Sequence, residues 1–310
     1  MEDELRTVQY YNEYDYLALF DNTPETSLYH YTSLNTLLTI LKNKKLRFSN
    51  RLYLNDSSEG RYVIKICLEK IDEIWPNDSE YNKETFKDEL CNLETHITNT
   101  QFNFFQVSLS LDEDSLTMWN YYAKGNGTNL KLSEGPLINS LKSHLYNNSL
   151  GKLAFLHGRV VYDQTKQTEI LKRLLLDFSR TKQYFNEWYL FTSWAILNVG
   201  TLFKHPQFEP EHEYRIAYNI LSDVRLPNRC VSLFKDSAKN EPYCIDVYER
   251  ENMLVPYIDV DFNKDAVEGI CVSPRLSSEY TIDGLKLALV SNEFDVSKVK
   301  LKNSDIPLRF

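Results

Sequence analysis

The stretch SLYHYTSLNTLLTILKNKKLRFSN, Ser27 to Asn50, sets the class of fold to expect. Ser33 is a good N-cap, and Leu34, Leu37, Leu38 and Leu41 follow at i, i+3, i+4 and i+7, which puts them on one helical face. KLRFSN, directly after, reads as a short strand. Helices and strands then continue along the chain without regular βαβ alternation. That pattern predicts an α+β fold with mixed, mainly antiparallel sheets rather than a doubly wound parallel sheet.

Working outward, LNDSSEGRYVIKICLEKIDEIW predicts a helix entered through Asp56 and Glu59, which have capping-box-like spacing, with Val63, Ile66, Cys67 and Ile74 on its apolar side. NFFQVSLSL (Asn103–Leu111) is a strand by its aromatic and β-branched content and its alternation. DEDSLTMWNYYAKGNG is a short helix, capped by Ser115 and ended by Gly125 and Gly127. TNLKLS returns as a strand, and Pro136 to Gly200 reads as largely helical. EHEYRIAYNI (Glu211–Ile220), PYCIDVYE, LVPYIDVDF and VEGICVSP read as strands. EYTIDGLKLALVSNEF reads as a helix broken near Asp283 and Gly284, and VKLKNSDIPLRF as a strand plus tail. No repeat and no Pro/Gly/Ser-rich linker divides the chain. One domain over 1–310 is expected, with an N-terminal extension over 1–28 and a helical insertion over about 136–200.

Composition narrows the function classes. The 310 residues are 42% hydrophobic and 25% charged, ordinary for a folded chain with a sizeable core. Only 9 glycines disfavour a glycine-rich phosphate cradle. A net charge of −9 argues against broad nonspecific nucleic-acid binding through the whole surface and leaves a local basic groove open. The basic run Lys42, Lys44, Lys45, Arg47 and Arg51 reads as a solvated helix end. Cys67, Cys91, Cys230, Cys244 and Cys271 are odd in number and form no C-x-x-C, so reduced thiols, a cytoplasmic chain and no zinc site are expected. The acidic N-terminus lacks a signal pattern, and no apolar run nears the roughly 20 residues of a membrane span.

Four segments contain candidates for chemistry. In the first, His30 beside a helix start has a plain reading as a packed histidine. In the second, LNDSSEG, helix-entry chemistry explains the residues. In the third, Ser108 and Ser110 share a strand face, and Trp119 and Tyr122 are helical neighbours. A core pair is the plain reading there, and an aromatic floor for a planar ring is the functional one. In the fourth, Glu211, Glu213 and Arg215 share a strand face, with His212, Tyr214, Ile216 and Tyr218 on the other. Two like charges on one face cost little on an exposed strand but carry meaning in a cleft.

Taken in order, YHYTSLNTLLTILKNKKLRFSN, LNDSSE, VSLS…MWNYYA, EHEYRI and SDIPLRF resemble a widespread bacterial family whose shared domain has no known function. More distantly, HYTSLNTLLTIL, VSLSLDEDSLTMWNYYA and EHEYRIAY resemble the three motifs of diphtheria-toxin-like ADP-ribosyltransferases, of His-Tyr-Glu type. That resemblance implies an ADP-ribosyltransferase-like sheet and an NAD-consuming enzyme of the kind that serves as a toxin or anti-phage defence effector. NAD would be its substrate, with no metal. It also implies an acceptor that is protein, nucleic acid or water, and room for a defence-system partner protein. By this matching His30 binds the nicotinamide-side ribose, Tyr122 stacks on nicotinamide, and Glu213 stabilises the charge developing at C1′. Glu211 orients or deprotonates the acceptor, and Tyr31, Thr32 and Ser110 support NAD binding. Tyr31 is bulky where many relatives have glycine. Two other readings stay open: a non-catalytic nucleotide- or partner-binding module of the same fold, and a metal-using nuclease or phosphotransferase acting on nucleic acid.

Overall fold

The computed structural model describes residues 14–21, 23–56, 58, 60–97, 102–143, 152–180, 185–221, 230–235, 242–276 and 278–308. In chain order the elements are β1 (Ser27–Thr32), α1 (Leu34–Asn43), β2 (Lys45–Asn50), α2 (Tyr62–Glu69), α3 (Ile71–Ile74), α4 (Lys83–Ile97), β3 (Phe102–Ser110), α5 (Leu116–Tyr121), β4 (Thr128–Ser133), α6 (Glu134–Ser143) and β5 (Lys152–Arg159). They continue with α7 (Gln164–Ser179), α8 (Phe185–Gly200), β6 (Glu213–Leu221), β7 (Cys230–Lys235), β8 (Pro242–Cys244), β9 (Asp246–Arg250), β10 (Met253–Asp261), β11 (Val267–Val272), α9 (Glu279–Ser291) and β12 (Lys300–Asn303).

This is an α+β chain with a mainly antiparallel open sheet. The sheet runs β12-β11-β4-β1-β3-β2-β10-β9, with β6 on β3 and β5 on β6. Among the described strands only β11 and β12 pair in parallel. Period-two alternation sorts the side chains of β3 and β6. Phe105, Val107 and Leu109, with Tyr214, Ile216 and Tyr218, join the leucines of α1, α6 and α9 in one apolar layer. Across the sheet, α2, α4, α7 and α8 build the other large apolar layer around Trp188, Trp194, Phe86 and Phe104. A small third cluster, Tyr31, Met118, Trp119, Ala123 and Cys271, seats α5 against β1.

β3 is where the sheet divides. β6 pairs it from Phe102 to Ser110. On its other edge β1 pairs it at Ser110 and β2 at Gln106 and Phe105. Between these contacts, from Val107 to Leu109, that edge has no strand partner among the described residues. Ser108 sits in this gap and is exposed, whereas Val107 and Leu109 on either side are buried.

Several sequence expectations need correction. Pro136–Gly200 is not helical throughout, because Lys152–Arg159 pairs with β6 along its whole length. Its leucine and aromatic content fits either element, and the available strand edge decides for pairing. The helix expected after Asn55 divides into α2 and α3. Asp56 accepts from Ser58 in a turn instead of capping α2, and Glu59 lies outside the described residues. Ser115 stands at the N-cap of α5 without a side-chain cap bond. Asp114 instead accepts from the Trp119 indole at 2.6 Å. α9 runs unbroken through Asp283 and Gly284, where a side chain would meet open space. Arg51 leaves the basic run and is buried, its guanidinium 3.6 Å over the Phe104 ring and bonded to Thr201 Oγ1 and the Leu197 carbonyl. Gly127 fits because α5 approaches β1 closely, and a Cβ there would collide with the Thr32 carbonyl and Ala123.

Candidate functional site

The site starts from the connection between α8 and β6. The chain leaves α8, bridges Phe203 to Val161, and enters a 3-10 turn over Pro206–Glu211. His205 caps the turn and Pro206, with its preset φ, opens it. His212 then takes a left-handed conformation, φ 41°, which swings the chain into β6. Glu211 therefore ends a turn rather than starting the strand, contrary to the expectation of one continuous strand from Glu211. The two carboxylates still converge, because Lys204 reaches both.

Lys204 Nζ lies 2.6 Å from Glu211 Oε2 and 3.0 Å from Glu213 Oε2. Arg215 grips Glu213 in a bidentate pair, Nε to Oε1 at 2.7 Å and Nη2 to Oε2 at 3.0 Å, and donates to the Thr201 carbonyl at 2.9 Å. Tyr122 Oη donates to Glu211 Oε1 at 2.9 Å. Ser110 Oγ donates to the Glu211 carbonyl and accepts from Asp112 N–H. The Glu213 N–H donates to Tyr162 Oη. The Glu213 side chain is 4% exposed and that of Glu211 14%, so the network is deep at Glu213 and reaches water at Glu211.

Two cations and two carboxylates balance within this cluster. Burial alone would raise the Glu213 carboxyl, but Arg215, Lys204 and a hydrogen bond from the Ser108 side chain bring it down to about 2. Burial likewise works against the Lys204 charge, yet Glu213 and Glu211 hold its ammonium above the usual range. Burial, then the Glu213 charge, raises the Tyr162 phenol. The Glu213 carboxylate is thus ionised at neutral pH, and the hydrogen bonds and ion pairs hold both carboxylates in fixed positions.

His30 stands on β1 opposite Leu130 of β4. Tyr29, Ser110 and Glu213 are cross-strand partners and share a face, so alternation turns His30 to the other side. The residue is half-buried, and Nδ1 is shut off from solvent and has no hydrogen-bond partner. Burial lowers the imidazole to about 4, partly offset by a hydrogen bond to the Ser108 backbone. His30 and Glu213 therefore come to the gap in the sheet from its two sides, with Ser108 between them, and no contact joins them directly.

The structure brings Tyr122, Glu211, Glu213 and Ser110 together. Tyr122 is the tyrosine turned to Glu211, while Tyr121 is 76% exposed. Tyr31 Oη donates to the Asp112 carbonyl, accepts from Ser115 N–H, and its ring packs edge-on against Trp119, so it braces the turn into α5. Thr32 is buried beside Gly127. Sequence reasoning missed Lys204, Tyr162 and the part played by Ser108. A lysine directly after the apolar run GTLF and shortly before an acidic turn is a legible signal, since a cation there needs a carboxylate partner. Tyr162 carries no such signal, because only the bridge to Phe203 brings it near.

Residues 118–216 match the model of a family described as a protein of unknown function, DUF2971. The match covers less than half of the chain. It runs from Met118 in α5 to Ile216 in β6, and so includes Tyr122, Lys204, Glu211, Glu213 and Arg215 but not His30. No curated protein and no solved structure matches the chain. None of these comparisons supports the likeness to ADP-ribosyltransferases, which rests on the motifs alone. Among the described residues no group of three His, Cys, Asp or Glu side chains is placed to hold a metal ion, and no helix is long and apolar enough to cross a membrane.

Proposed function

We propose that the protein cleaves the nicotinamide–ribose bond of NAD and passes the ADP-ribosyl group to an acceptor or to water. The observation that carries this reading is Ser108, exposed in the gap of the sheet and paired with Arg215 on the face that carries Glu213. It is a neutral, exposed partner of a carboxylate otherwise gripped by two buried cations. A ribose hydroxyl that replaced the Ser108 hydroxyl would reach Glu213 at little cost.

In this reading the C1′–nitrogen bond breaks with its electron pair leaving on nicotinamide, and Glu213 stabilises the positive charge left on the ribose. The acceptor's lone pair then forms the new bond at C1′. Glu211, the carboxylate nearer to water, takes the acceptor's proton.

The purified chain incubated with NAD is expected to release nicotinamide, with label from the adenine side appearing on protein or nucleic acid of a cell lysate. Glu211→Gln is expected to lower label transfer about 10- to 100-fold, the usual range for a lost general base, while sparing hydrolysis to free ADP-ribose. Equal loss of both activities would end this division of roles. Tight NAD binding with no nicotinamide release would favour the non-catalytic binding module instead.

A further inference from the structure

A second cleft lies beside β5, walled by residues of Asp15–Asp21, β5 and the start of α7, with a volume of about 960 Å³. His157, Arg159 and Tyr214 line it. None of them belongs to the Glu213 network. Tyr214 Oη is 2.7 Å from Glu134 Oε1 and 2.8 Å from His157 Nδ1. A carboxylate only accepts, and Glu134 also accepts the Thr26 N–H through its other oxygen. The single Tyr214 proton therefore goes to Glu134. Nδ1 of His157 must then carry its own proton and donate it to Tyr214. This fixes the tautomer and leaves Nε2 bare. Nε2 has no partner among the described residues and is not closed off from solvent.

Three cations and six carboxylates line the same cleft, and two of the cations are engaged. Lys166 pairs with Asp21 at 3.4 Å, and Arg173 donates to the Ala18 and Leu19 carbonyls. Arg159 is exposed and makes no hydrogen bond or ion pair among the described residues, and its charge acts on the neighbouring Tyr214 phenol. It stands two residues from His157 on one strand face, so the two side chains arise about 6.8 Å apart. A free guanidinium and a bare ring nitrogen at that spacing complement an anion that carries a hydroxyl a few bonds away.

We propose that this cleft binds a sugar phosphate, with Arg159 holding the phosphate through its planar fork and His157 Nε2 accepting a sugar hydroxyl. The proposal stands whether or not the protein consumes NAD. Its test is a titration of the full chain, labelled with ¹³C and ¹⁵N at histidine, with ribose 5-phosphate. The His157 resonance is assigned by its loss in His157→Gln. The free protein should show Nδ1 protonated and Nε2 unprotonated in its ¹⁵N shifts. Ribose 5-phosphate should shift the His157 signal saturably. Ribose alone and inorganic phosphate alone should each bind at least tenfold more weakly, and Arg159→Gln, an exposed substitution that leaves the core intact, should weaken ribose 5-phosphate by tenfold or more. Tyr214→Phe should release the fixed tautomer. A protonated Nε2 in the free protein, a His157 signal indifferent to ribose 5-phosphate, or unchanged affinity in Arg159→Gln would overturn the proposal.

Discussion

Glu213→Gln is expected to lower nicotinamide release by about 100- to 1000-fold, the loss that follows removal of one well-placed group that stabilises developing charge. The substitution keeps the shape of the side chain. It also unbalances the cluster, since Lys204 and Arg215 would then face Glu211 alone. A drop in melting temperature is expected alongside the drop in rate. The double variant Glu213→Gln with Lys204→Met separates the two effects. Arg215 and Glu211 then cancel, so melting temperature should recover in part while nicotinamide release stays lost. Activity that recovers together with stability would mean that Glu213 is only a structural counter-ion.

The largest stability effect is expected from Arg215→Met, about 3–5 kcal/mol in urea unfolding at neutral pH. Breaking a buried pair leaves an under-compensated charge out of water, and a methionine cannot solvate it. pH dependence gives an independent check. The Glu213 carboxyl is lowered from 4.5 to about 2. The unfolded chain therefore binds this proton first as pH falls. The stabilisation is fully present above about pH 4.5 and is lost as pH drops towards 2, in an amount of order 3 kcal/mol. In Arg215→Met burial regains its hold on the carboxyl, so this acid-dependent loss should shrink or reverse. An identical loss of stability between pH 5 and pH 2.5 in both proteins would contradict the assignment of Arg215 as the main counter-charge.

The parts of the fold that rest on local periodicity were legible in the sequence. Ser33 caps α1 through Thr36 N–H, and of the four leucines the spacing puts on one face Leu37 and Leu41 are buried, Leu34 is half-buried and Leu38 is exposed. The alternation in β3 separates Phe105, Val107 and Leu109 from Ser108 and Ser110. What failed depends on contacts distant in the chain. β5 looked helical because its leucines and aromatics carry no strand signal until β6 offers an edge. Arg51 looked solvated because its partners, Phe104, Leu197 and Thr201, come from other elements.

The site was half legible for the same reason. Glu213 and Arg215 lie two apart on a strand and announce a same-face pair, and Tyr122 stands out by its Trp-x-x-Tyr spacing. Lys204 joins them only because the bridge between Val161 and Phe203 holds it beneath the 3-10 turn. His30 and Glu213, expected in one cleft, lie instead on opposite faces of the sheet.

The most direct test of the central claim is the position of the ribose. The measurement is a crystal structure of the chain with an NAD analogue in which carbon replaces the ring oxygen of the nicotinamide ribose, so that the glycosidic bond survives. The account predicts a ribose hydroxyl within hydrogen-bond distance of Glu213, the Ser108 hydroxyl displaced from that carboxylate, and the nicotinamide ring against Tyr122. An analogue bound elsewhere, with the Ser108–Glu213 hydrogen bond intact, would contradict it.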